Sequence, residues 1–276
     1  VAAAPEIDIT DADAIGRAIV EARPDAIYHL AGLSNVAESW RDPLKTFEVN
    51  ATCTLHVLEA ARRVEPMPRV LLVCSAEVYG SVAPDQLPVT EDTPLRPVTP
   101  YAASKVAAEF LGLQAHLGHG LPVVRVRAFN HIGPSQSGAF VVSDLARRIA
   151  EAQRDGASVL RVGNLSPRRD FTDVRDVVRA YRLLVVGGTP GGVYNVCSGR
   201  AIAIEELAQH LLALAGADLT EAELNGAELT GVDLTATVLR RANLERAVLM
   251  MANLTQARLS HALLNGADMR LANLTT

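Results

Sequence analysis

Short apolar runs closed by turn residues alternate along this chain with longer segments in which apolar positions recur at helical spacing. PDAIYHLAG (24–32) and PRVLLVCS (68–75) predict buried parallel strands, and LPVVRVRAF (121–129) and GGVYNVCSG (191–199) predict two more. Between the first two, Leu44, Phe47, Leu55, Leu58 and Ala61 keep a helical period, so one helix is expected over 43–63. Further helices are expected over 11–22, 101–118, 140–156 with Gly156 closing it, 172–188 with Thr172 as N-cap, and 204–216. Strands and helices alternating in this way argue for an α/β fold, a doubly wound parallel sheet.

Near Gly216 the pattern changes to a period of neither a helix nor a strand. Twelve pentads run in unbroken register from Ala217 to Thr276, with Leu central in eleven and Met269 in the twelfth. The residue two places earlier is Ala in ten pentads, Val232 and Thr237 being the exceptions. A five-residue repeat is satisfied by a solenoid that turns a corner each pentad and points the central Leu and the small residue inward. The segment resembles the pentapeptide-repeat family, which implies a right-handed quadrilateral β-helix of four pentads per coil. Two domains are therefore expected, 1–215 and 216–276. Outward Arg240, Arg241, Arg246, Arg258 and Arg270 are mixed with Asp218, Glu221, Glu223, Glu228 and Asp233, so the solenoid is not a uniformly acidic rod.

Composition narrows the function classes. A net charge of -5 without a basic block argues against a nucleic acid partner. No uncharged apolar run reaches the ~18 residues of a membrane span, and the first residues, VAAAPEIDITDADA, lack a secretory pattern. Cys53, Cys74 and Cys197 are scattered in apolar contexts without metal-ligand spacing, so buried reduced thiols, no metal and a cytoplasmic location are expected.

Of 26 basic residues only Lys45 and Lys105 are lysine, and Lys105 stands four residues after Tyr101 in PYAASKVAAEF. On a helix that spacing shares a face. An ammonium beside a phenol favours phenolate and lowers its pKa towards the range useful for proton transfer. It can also reach a ribose hydroxyl, where a planar guanidinium is no substitute. Ser75 closes the strand before it, at the end where open α/β sheets hold their ligands. Each polar residue also has a plainer reading: Asp8 as cap of the 11–22 helix, Glu77 as an ordinary loop carboxylate, Asn130 closing a turn, Arg169 paired with Asp170 or Asp173, and His29 as a satisfied near-core histidine.

Ser75 in SAEVYG, the PYAASK motif and RAFNHIGP (127–134) together resemble the extended short-chain dehydrogenase/reductases that modify nucleotide sugars, over residues 6 to about 210. The resemblance implies a Rossmann-like sheet, NAD(P)H as cofactor and a GDP-linked nucleotide-sugar substrate, and it leaves homo-oligomerisation open. It implies that Tyr101 is the acid–base group, that Lys105 lowers its pKa and holds the nicotinamide ribose, and that Ser75 bonds the reacting sugar oxygen. Asp8 and Ile9 would meet the adenine, and Leu30, Ala31 and Gly32 would lie along the cofactor. Ser34 and Asn130 would touch the substrate, and Arg169 would grip its diphosphate. Within this family the segments 127–151 and 160–184 look most like reductases of GDP-4-keto-6-deoxy-D-mannose. GDP-mannose 4,6-dehydration is the alternative; it would use Glu77 as an additional catalytic carboxylate, but Ala76 and Asp144 depart from the dehydratase pattern.

The family opens with a strand, a glycine-rich turn and a helix that holds the pyrophosphate. Gly187, Gly188, Gly191 and Gly192 follow a helix and precede a strand, the wrong order for that turn. A truncated sheet lacking ~30 residues or more, about one βαβ unit, is therefore expected, and the choice of NAD or NADP is unreadable. A fragment of an active reductase, a binding or scaffold protein that has lost its cofactor, and a frame joined to an unrelated repeat protein are the three readings that follow.

Overall fold

The computed structural model describes residues 7–155, 160, 162–214, 222–227, 229–232, 234–235 and 237–275. The chain forms two compact units, Val1–Gly133 with Asp170–Arg200, and Pro134–Arg169 with Ala201–Thr276. The expected seam at Gly216 and the outward Asp218, Glu221, Glu228 and Asp233 lie outside the described residues, as does the helix-closing Gly156.

The described strands are β1 (Ala26–His29), β2 (Arg69–Val73), β3 (Val123–Ala128), β4 (Asn130–Ile132), β5 (Arg168–Asp173), β6 (Val193–Val196) and β7 (Ala201–Ala203). In the first unit β1, β2, β3 and β6 form a four-stranded sheet in that order, all parallel, with Ala26 opposite Arg69, Leu71 opposite Val124 and Val126 opposite Tyr194. Successive side chains of a strand point to opposite faces. Val70 and Leu72 accordingly pack with Leu58, Ala115 and Leu121, while Leu71, Val124 and Val126 pack with Val177, Tyr181 and Val185. Both faces are covered, which is why β2 and β3 read as near-continuous apolar runs. This is the Rossmann-like parallel sheet expected from the alternation.

The helices differ from expectation in their ends and continuity. Asp11 caps α1 (Ala12–Ala22), its Oδ1 accepting from the Ala14 amide at 2.9 Å, so Asp8 is not the cap. The single helix expected over 43–63 is instead α3 (Pro43–Phe47), a π-helical turn (Glu48–Thr52) and α4 (Cys53–Ala61), preceded by a short α2 (Val36–Arg41). A π turn inserts one residue into the helical period without a local propensity signal, and such turns recur at functional sites. Thr99 caps α5 (Pro100–His119), with Pro100 in the first turn, where its missing N–H costs nothing. Residues 168–173, partly expected as helix, form β5, and Asp173 rather than Thr172 caps α7 (Val174–Gly187). Cys53 and Cys74 are buried, but Cys197, just past the end of β6, is exposed, against the expectation of three buried thiols.

In the second unit α6 (Val141–Arg154) packs on α8 (Ile204–Leu214). Among the pentads, Leu239, Leu244, Leu249, Ala242, Ala247 and Ala252 are fully enclosed, the inward Leu and small residue of the repeat. Parallel bridges join residues twenty apart, Glu223 to Asn243, Val238 to Arg258, Val248 to Asp268 and Asn253 to Asn273. Left-handed backbone falls on the fifth residue of the pentad, at Gly226, Gly231 and Gly266 but also at Arg241, Arg246, Met251, Gln256, His261 and Leu271. A side chain there costs roughly 1–2 kcal/mol, and the ladder bonds that follow each corner offset it.

Candidate active site

The N-terminal cap of α5 and the end of β2 meet over the sheet, and three polar side chains converge there. Ser75, Tyr101 and Lys105 are each 8 % exposed. Ser75 Oγ accepts from the Glu77 amide at 3.2 Å and so starts a 3-10 turn, Ala76–Tyr79. Burial pushes the Tyr101 phenol above its ordinary pKa; a hydrogen bond with Ser75 opposes this, and the Glu77 carboxylate pushes it further up. Cys74 is a neutral thiol, raised by burial to about 12. Lys105 Nζ donates to the Val73 carbonyl of β2 at 3.1 Å, and burial lowers its pKa. The site thus holds a protonated phenol, bonded to a serine hydroxyl, one helical turn from a buried ammonium. A phenol in that state can donate a proton to an oxygen whose charge is rising.

The loop after β1 passes beside this ammonium. A Cβ on Gly32 would stand 3.3 Å from Lys105 Nζ and 2.8 Å from Asn50 Oδ1, so only glycine fits. Leu30, Ala31, Gly32 and Ser34 present an exposed stretch of chain there. Asn50, in the π turn, was not singled out by the sequence. Its Oδ1 accepts from the Leu33 amide at 2.8 Å, and its Nδ2 donates to the Leu33 carbonyl at 3.0 Å and to Ser104 Oγ at 2.9 Å. The only prior signal was a polar residue among apolar ones in EVNATC. His29, at the end of β1, is buried with Nε2 2.9 Å from Thr54 Oγ1, a satisfied near-core histidine as expected.

The remaining expected site residues have other partners. Asp8 is exposed and its Oδ1 accepts from the Thr10 amide at 2.9 Å, a bond that holds the carboxyl below its ordinary pKa, while Ile9 beside it is half-buried. Asn130 is exposed at the start of β4, opposite Phe171 of β5. Arg169 belongs to the second unit and donates to the Arg168 carbonyl at 2.9 Å. The carboxylates expected to pair with it are engaged elsewhere: Asp170 accepts from the Ser198 and Gly199 amides, and Asp173 pairs with Arg175.

Beneath the site Glu109 of α5 lies between two arginines of β3. Its Oε1 is 2.7 Å from Arg127 Nη2 and 3.3 Å from Arg125 Nη1. Arg127 Nη1 also donates to Tyr79 Oη at 2.9 Å, and Tyr79 to Asn195 Oδ1 at 2.7 Å. The network ties the helix carrying Tyr101 and Lys105 to the turn that follows Ser75.

The chain is similar to known proteins over most of its length. The family described as GDP-mannose 4,6 dehydratase matches residues 4–257, and the family of pentapeptide repeats matches residues 252–275. The GDP-6-deoxy-D-mannose reductase of Pseudomonas aeruginosa is 42% identical over 213 residues, 77% of this chain and 70% of that protein. The GDP-mannose 4,6-dehydratase of Yersinia enterocolitica is 30% identical over 214 residues, and the match spans 77% of this chain and 57% of that protein's length. The structure of RMD from Pseudomonas aeruginosa complexed with NADPH superposes with a TM-score of 0.75 at 40% identity, covering 79% of this chain and 75% of that one. The chain belongs to the GDP-mannose 4,6-dehydratase family of extended short-chain dehydrogenase/reductases and carries pentapeptide repeats towards its C-terminal end.

Proposed function

We propose that this protein reduces the 4-keto group of a GDP-linked 6-deoxy-hexose with NAD(P)H. The observation that carries the reading is the buried, protonated Tyr101 bonded to Ser75 with Lys105 one turn away, in a chain 42% identical to a GDP-6-deoxy-D-mannose reductase. The residues fit a dinucleotide: the bare Cα of Gly32 beside a buried ammonium leaves room that any side chain would fill. When bound, the reduced nicotinamide supplies the hydride. Ser75 holds the keto oxygen, Tyr101 gives it a proton, and Lys105 binds the ribose and steadies the phenolate left behind. Leu30, Ala31 and Gly32 line the cofactor, and Asp8 and Ile9 meet its adenine. Ser34 and Asn130 hold the sugar nucleotide.

Replacing Tyr101 by Phe tests the mechanism. Turnover of GDP-4-keto-6-deoxy-D-mannose should fall by about 10²-fold or more, with NADPH affinity nearly unchanged; intact turnover would sink the assignment. Dehydration is the second reading, favoured by the Glu77 carboxylate close enough to Tyr101 to raise its pKa. Formation of a 4-keto product from GDP-mannose alone with the oxidised cofactor would select it.

The twenty-residue ladder supports a right-handed quadrilateral β-helix of four pentads per coil. Pairing of two copies is supported by exposed Leu44 and Leu117 and by an apolar hollow of about 410 Å³ lined by Phe47, Leu55, Phe110 and Leu111. No helix among the described residues is long and apolar enough to cross a membrane, which fits a cytoplasmic enzyme.

A further inference from the structure

His29 takes no part in the proton transfer described above, yet it begins a continuous line of hydrogen bonds that ends at Tyr101. Thr54 Oγ1 donates to the Asn50 carbonyl at 2.7 Å. Its single proton is then used, so at 2.9 Å it can only accept from His29, whose Nε2 must carry the hydrogen. Asn50 in turn brackets both polar groups of the Leu33 peptide and donates to Ser104 Oγ. Ser104 Oγ donates to the Tyr101 carbonyl at 2.7 Å. Asn50, Thr54 and Ser104 are almost wholly buried, so no water competes for these bonds.

We propose that His29 is a positioning residue: through Thr54 it locks the π turn that carries Asn50, and Asn50 couples the 30–34 loop to the helix bearing Tyr101 and Lys105. The π turn explains why a lock is needed. In a regular α-helix the carbonyl ladder fixes the side-chain direction, whereas a π turn interrupts that ladder over Glu48–Thr52. An external donor, relayed through Thr54, holds the Asn50 carbonyl, and with it the side chain that grips Leu33. Burial together with the Lys105 ammonium holds His29 down to about 4, so the donor is the neutral ring in its Nε2–H tautomer. The inference rests on Tyr101 and Lys105 being the reacting pair, but the coupling itself can be read without turnover.

The test is hydrogen exchange at the Leu33 amide in the full chain, as wild type, His29→Phe, Thr54→Val and the double variant. Each single change should speed exchange by about fivefold to tenfold, the loss of one buried hydrogen bond. The double variant should exchange no faster than the quicker single one, because both act on one line. His29→Gln and Thr54→Ser, which keep the donor and the hydroxyl, should remain within about threefold of wild type and serve where His29→Phe does not fold. Unchanged exchange in Thr54→Val, or effects that multiply in the double variant, overturns the proposal. A parallel assay with NADPH and the keto sugar nucleotide should show kcat lowered by Thr54→Val with KM nearly constant. If wild-type turnover is absent while the exchange pattern holds, the reductase reading fails and the positioning role stands.

Discussion

Glu109→Gln should be among the most damaging single substitutions that leave the reacting residues untouched. Glu109 is 0 % exposed and faces Arg127 at 2.7 and 3.0 Å and Arg125 at 3.3 Å. At an effective dielectric of ~20 each charge pair at ~4 Å gains ~4 kcal/mol, and desolvation of the three ions takes back several kcal/mol each. Neutralising the carboxylate removes the attraction and leaves the desolvation, so two buried guanidiniums lose the anion between them, at a cost of ~3–5 kcal/mol. For a chain of this size that is on the order of 10 °C in Tm. The assay is thermal unfolding followed by the helical circular-dichroism band. Arg125→Met is the control. Burial lowers the Arg125 pKa, and its Nε has no partner among the described residues. Arg127, by contrast, is raised despite burial because Glu109 and Tyr79 bond it. Arg125→Met should therefore cost about 1–2 kcal/mol, since it leaves one matched pair. A Glu109→Gln protein melting within about 2 °C of wild type, or an Arg125→Met protein that is the less stable of the two, refutes the reasoning.

Gly32→Ala should weaken NADPH binding by about tenfold or more, because its Cβ meets Asn50 Oδ1 at 2.8 Å and Lys105 Nζ at 3.3 Å; a fluorescence titration with unchanged affinity speaks against the crowding argument. Lys105→Arg should lower turnover by about 10²-fold despite keeping the charge, since the planar group cannot bond the Val73 carbonyl from the same place; full activity would mean that charge alone suffices. His29 is neutral when folded, its pKa lowered from 6.5 to about 4 by burial and by Lys105. Only the unfolded chain takes up a proton between those values, so stability present above pH 6.5 is lost as pH falls to about 4, by roughly 3 kcal/mol. His29→Gln should flatten that slope in urea unfolding, and an unaltered slope would assign it to other groups. Thr237 fills an inward position held by Ala in ten pentads, and its buried hydroxyl has no partner among the described residues. Thr237→Ala should stabilise the repeats by about 1 kcal/mol; a fall in the denaturant midpoint would show that its methyl matters more than its orphaned hydroxyl.

Much of this architecture was legible in the order of residues because it depends on periods and local chemistry. Apolar runs such as RVLLV reveal a strand buried on both faces, since burial on both faces demands apolar residues at every position. Tyr101 and Lys105 share a face because the helical pitch alone brings positions four apart together, and the pentads declare a repeating corner without reference to anything else in the chain. Tertiary structure decided what depends on distant partners. The break of one expected helix into α3, a π turn and α4 follows from contacts of Asn50 with Leu33 and Ser104, seventeen and fifty-four residues away. The burial of Glu109, which sits on α5 as an ordinary helix-former, follows from two arginines of β3 that no window around it contains. The protonation of Tyr101 was the point at which local reasoning ran furthest astray. An ammonium at helical spacing favours phenolate, but Lys105 bonds the Val73 carbonyl, and burial keeps the phenol protonated. Sequence determines which groups can meet along one element; only packing decides how much water they keep, and at this site the loss of water outweighs the charge next door.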